Sequence, residues 1–80
     1  MALSDREKEW ADKTRRYLKA ELKRADVTYA ELARRLREHG FADETEGSVT
    51  AKLARGTFAV SFFLAVLTVL EIEGLQLTEL

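Results

Sequence analysis

The chain has 80 residues, a formal net charge of −1, no cysteine and one histidine, His39. Disulfides and thiolate metal sites are excluded, and one imidazole cannot build a zinc site by itself. With 46% hydrophobic and 34% charged residues, the balance is that of a folded globular chain rather than a disordered one.

This length predicts one domain over residues 1–80. Such a chain buries only about 60% of its unfolded surface, so stability must come from good helix packing or a second subunit. There is no proline, and the four glycines fall at apparent breaks, which predicts an all-helical chain. Charge is unevenly placed. Residues 1–40 hold eleven Lys/Arg and eight Asp/Glu, whereas residues 41–80 hold two and six. The halves therefore carry +3 and −4. The longest apolar run, Phe58 to Leu70, is too short to span a bilayer. The charged start (Asp5, Arg6, Glu7, Lys8) is unlike a signal or transit peptide, and the expected compartment is the cytoplasm.

A first helix is predicted from about Ser4 to Ala25. Ser4 and Glu7 form a capping-box pattern, and Trp10, Thr14, Tyr17, Leu18, Leu22 and Ala25 recur as one stripe. The second helix has the clearest start. Thr28 is its N-cap, Glu31 the N3 partner, and Val27 and Leu32 the hydrophobic staple. Leu32, Ala33 and Leu36 face the core, and His39 with Gly40 closes the helix. Phe41 drops into the core.

Asp43 with Glu46 repeats the cap pattern and predicts the start of helix three, which ends at Arg55 with Gly56 beyond it. Ser61 is the expected cap of helix four, Phe62 to Glu73, ended by Gly74. That helix is apolar nearly all round, so it is either central or covered by a partner. A long first helix lying over it is one cover. A symmetric dimer through Leu64, Leu75, Leu77 and Leu80 is the other. "LQLTEL" reads as a short extended tail.

The stretches "LKRADVTYAELARRL" and "VTAKLARG", followed by Ser61, resemble the lambda-repressor-like helix-turn-helix domain over about residues 18–74. More narrowly, Trp10, "LKAELKR", "TYAELARRL", "KLARGTF" and "FF" resemble a small bacterial domain of unknown function within that fold. The resemblance implies an all-α domain of four helices, or five, with a long first helix. Two departures stand out. Leu36 and Val49 are thirteen positions apart, which lengthens helix two or the turn; POU-specific domains carry a similar extension. Tyr29 stands where the glutamine after the helix-two cap is usual.

By that resemblance helix three is a recognition helix. Val49 and Leu53 would point in, leaving Gly47, Ser48, Ala51, Lys52 and Arg55 outward. The candidate DNA contacts are Thr28, Tyr29, Ser48, Thr50, Ala51, Lys52 and Arg55, with Thr28, Tyr29 and Arg55 on the phosphate backbone and Ser48 and Lys52 near bases. Glu44 and Glu46 beside the helix start would repel phosphate. The expected function is sequence-specific or non-specific binding of double-stranded DNA in transcription regulation, as a homodimer. The alternative is a helical interaction or dimerisation module that does not bind DNA. No enzyme is predicted: three serines and a lone histidine stand in no triad order, and no glycine-rich phosphate loop is present. No catalytic residue, cofactor, metal or small-molecule ligand is expected.

Overall fold

The structure, a computed structural model, describes residues 4–80. It contains α1 (Asp5–Ala25), α2 (Tyr29–Glu38), α3 (Glu46–Arg55) and α4 (Val60–Val69), then a 3-10 turn at Leu77–Glu79 in place of the expected extended tail. There is no strand among the described residues. No single helix there is long and apolar enough to cross a membrane, and α3 and α4, which together would reach that length, are bent from one another by 115°.

Capping residues set the helix starts. Ser4 Oγ accepts from the Glu7 N–H at 3.1 Å, and Thr28 Oγ1 accepts from the Glu31 N–H at 3.1 Å. For α3 the cap is Thr45, not Asp43. Thr45 Oγ1 accepts from the Ser48 N–H, and Ser48 Oγ accepts from the Thr45 N–H at 2.9 Å. Serine, short as it is, thus completes the reciprocal box that Glu or Gln usually closes. Helix α4 begins at Val60, two residues before the expected Phe62, and its N-cap is Ala59 rather than Ser61, with no side-chain cap.

All four helices end on a left-handed residue. Gly40 (φ 95°) and Gly56 (φ 70°) were expected there; Asp26 (φ 57°) and Glu71 (φ 60°) were not. After α1, the N–H groups of Val27 and Asp26 bond the carbonyls of Leu22 and Lys23. The same double closure follows α2 (Phe41 to Leu36, Gly40 to Arg37) and α4 (Ile72 to Leu67, Glu71 to Thr68). Helix α4 therefore stops at Val69, four residues short of Glu73, and Gly74 does not end it.

The core is assembled from one stripe per helix: Tyr17, Leu18 and Leu22; Leu32, Ala33 and Leu36; Val49 and Leu53; Phe62, Val66 and Val69. Val27 and Leu70 complete it, and Phe41 packs against its edge. Helix α3 packs on α2 and α1, and α2 packs on α4. On α1 the buried stripe is turned from the one expected. Ala11 is buried, whereas Ala25 is exposed and Trp10 is 51% exposed. There the backbone of α1 at Ala11 closely meets the end of α3, an approach that the missing side chain of Gly56 permits. An ideal Cβ on Gly56 would lie 2.2 Å from the Ala11 carbonyl oxygen.

Candidate nucleic-acid interface

Helix α3 is braced from behind by Val49 and Leu53, both fully buried. Its other side leaves Glu46, Gly47, Thr50, Ala51, Ala54 and Arg55 exposed. Between Glu46 and Arg55 these are small, so the front of the helix is a shallow surface with a carboxylate at its N-terminal end, as expected, and one cation at its C-terminal end. Thr50 Oγ1 donates back to the Glu46 carbonyl at 2.7 Å, which keeps its hydroxyl close to the helix.

The remaining expected contacts are occupied within the protein. Lys52, expected outward, is half-buried. Its ammonium pairs with Glu44 Oε2 and sits 4.6 Å from the centre of the Phe62 ring. Ser48 Oγ donates to Glu44 Oε1 at 2.7 Å, in addition to its part in the Thr45 cap. Thr28 is exposed but its hydroxyl oxygen is the α2 cap, and Tyr29 is half-buried against the core.

Glu44 is the residue that sequence reasoning placed wrongly. Expected as a phosphate-repelling neighbour of α3, it is 6% exposed and binds Ser48 and Lys52 together. Burial pushes its carboxyl up, but the hydrogen bonds from Lys52 and Ser48 and the Lys52 charge outweigh that and hold it below its ordinary value. The Glu44 carbonyl also accepts from Arg37 Nη1 at 2.9 Å. One residue thus ties the α2–α3 connection to both helices. Glu44 precedes the Thr45 cap and so lies outside the helix, where helical spacing gives no signal of its pairing with Ser48.

The α2 arginines are likewise committed. Arg34 pairs with Glu31 and Glu38, and Arg35 pairs with Glu31 and donates to the Val69 carbonyl at 3.1 Å, fastening α2 to the end of α4. The bonds from Arg34 and Arg35 pull the Glu31 carboxyl down to about 2. His39 Nδ1 lies 3.2 Å from the Arg35 carbonyl at the close of α2.

The dimer residues divide. Leu64 (55%) and Leu77 (70%) are exposed, whereas Leu75 and Leu80 are half-buried against the core. Helix α1 does not lie along α4 and so does not cover Leu64. Instead a cleft of about 420 Å3 opens between Trp10 of α1 and Val60 and Phe63 of α4, floored by Phe58. Val60 is 72% exposed on its rim. Among the described residues no group of three or more His, Asp or Glu is placed to hold a metal ion.

Among the described residues the fold is thus an all-α arrangement of four α-helices. Residues 10–75 match the family model for a domain of unknown function (DUF6471), and the chain belongs to that family. No curated protein and no solved structure matches the chain.

Proposed function

We propose that this protein binds double-stranded DNA in transcription regulation, with α2 and α3 as a lambda-repressor-like helix-turn-helix and α3 as the helix offered to the groove. The observation that carries the reading is the front of α3. Gly47, Thr50, Ala51 and Ala54 leave the helix backbone approachable, while Val49 and Leu53 fix it on α1 and α2. A helix held from behind and open in front is what docking in a major groove requires. Arg55 supplies charge to phosphate at one end of that face. Lys52, neutralised by Glu44, contributes little. With so few free cations per copy, binding is weak and non-specific unless two copies act together. The compartment that goes with this reading is the cytoplasm.

Ala51→Glu tests it. A carboxylate in the middle of the exposed face repels phosphate without touching the core. Duplex binding should be lost while the melting temperature stays within a few degrees of wild type. Unchanged binding removes α3 from the interface.

A second reading is favoured by the uncovered apolar residues Trp10 and Val60, which line the α1–α4 cleft, and by exposed Leu64, one turn after Val60 on α4. Exposed apolar surface gathered in this way marks association. It supports a dimerisation or protein-interaction module, with or without DNA.

A further inference from the structure

We infer that α1 carries a seat for a backbone phosphate of duplex DNA, formed by Lys8 and Arg15 together with Arg55 of α3; this rests on the reading of α3 as the DNA-facing helix. Lys8, Asp12, Arg15 and Lys19 recur at spacings of four, three and four, so they share one face of α1. That face stands beside the C-terminal half of α3. Lys8, Asp12 and Arg15 line, with Ala54 and Arg55, a recess of about 290 Å3 between the two helices.

Three cations and one carboxylate therefore converge on a space wide enough for a phosphodiester group. Asp12 is already shared by Arg15 and Arg16, with the latter at 3.1 Å. Lys8 and Arg55 are in no ion pair among the described residues. Elsewhere on the surface the arginines of α2 are spent on Glu31, Glu38 and backbone carbonyls. The recess is where free positive charge meets the exposed small-residue face of α3. Ala54, between the two sets of cations, has no side chain long enough to block a strand lying across α3. A phosphate held here by the free charges of Lys8 and Arg55, beside Arg15 paired with Asp12, fixes how far along the groove α3 sits, the positioning role of backbone contacts.

The test compares wild type, Lys8→Gln, Arg55→Gln and Lys13→Gln on a short labelled duplex of random sequence. Lys13 lies on another face of α1, over the Trp10 ring and in the recess with Leu80, and controls for loss of one charge. Each substitution at the seat should lower the slope of log affinity against log salt by about one, so that between about 50 and 200 mM salt the variant loses about threefold less affinity than wild type. Lys13→Gln should leave the slope unchanged. If Lys8→Gln leaves the slope unchanged, as Lys13→Gln does, while Arg55→Gln still lowers it, the seat is overturned and α3 binding stands. If wild type binds no duplex at any salt, both fall. In that case inorganic phosphate, followed by amide NMR shifts at Arg55 and Gly56, tells whether the recess is a site for free phosphate instead.

Discussion

The Cα of Gly56 rests against the carbonyl of Ala11, so close that a Cβ would meet the oxygen at 2.2 Å and the carbon at 2.8 Å. This contact sets the distance between α1 and α3 and with it the floor of the recess formed by Lys8, Arg15 and Arg55. Gly56 also has φ 70°, a conformation that side chains resist. Gly56→Ala combines strain with collision against backbone that cannot swing away. It should cost at least about 2 kcal/mol, a fall in melting temperature of about 8 °C or more. Gly40 shares the positive φ but has nothing within 4 Å of its would-be Cβ. Gly40→Ala should cost only the strain, about 1 kcal/mol. Equal effects in thermal melts would mean that the Ala11 contact has no part in stability.

The start of α3 separates two caps that look alike in the sequence. Thr45→Ala removes a formed cap and should cost about 1 kcal/mol. Asp43, exposed in the connection, should tolerate alanine within about 0.5 kcal/mol. Urea melts of the two variants decide the point, and the reverse order would restore Asp43 as the cap.

Why the sequence misleads there, and at the end of α4, has one cause. Each signal used was a residue type, and each error came where another residue did that job. Thr28 as the α2 cap, with Val27 and Leu32 buried around it, was legible, but the return bond expected from Glu31 is not formed, because Arg34 and Arg35 hold its carboxylate. Asp43 with Glu46 imitated the same pattern, and the true box used Ser48. Gly56 was legible because glycine is the usual left-handed residue; Glu71, which ends α4, is not a type that announces itself. The direction of Lys52 was illegible for a different reason. It depends on Glu44, eight residues away, folding inward, and a buried carboxylate is seldom expected beside a helix start. That α4 is apolar nearly all round was legible, but not that Phe62, Val66 and Val69 would be its buried side, because a helix apolar on every line gives periodicity nothing to choose between. That Trp10 would be left uncovered depended on the Ala11–Gly56 approach, which no local pattern contains.

Glu44 and Glu31 make the fold sensitive to acid. Both carboxyls are held below their ordinary value of 4.5, so each contributes stability that is complete above that pH and is lost as pH falls through the lowered value. Melting temperature should therefore drop as pH is lowered from 4.5 towards about 2, the value of Glu31. Glu44→Gln should destabilise the protein at neutral pH, by about 1 kcal/mol, and make that fall shallower. A variant whose acid profile parallels wild type would show that the Glu44–Lys52 pair does not contribute. The same substitution frees the Lys52 charge and should raise affinity for duplex DNA.

The uncovered rim of the α1–α4 cleft bears on association. If Val60 and Leu64 seat a second copy, Val60→Glu and Leu64→Glu should each turn a dimer into a monomer in sedimentation velocity runs without lowering the melting temperature of the monomer. A wild-type chain that sediments as a monomer up to about 100 µM would remove self-association at physiological affinity.

The most direct measurement is a salt titration of wild-type binding to random duplex DNA by fluorescence anisotropy, with oligomeric state checked on the same sample. The expected result is binding in the micromolar range at low salt that weakens steeply as salt rises, the sign of phosphate contacts. No binding at any salt would contradict the assignment of α3 as a DNA-facing helix and leave the apolar cleft beside Trp10 as the functional surface.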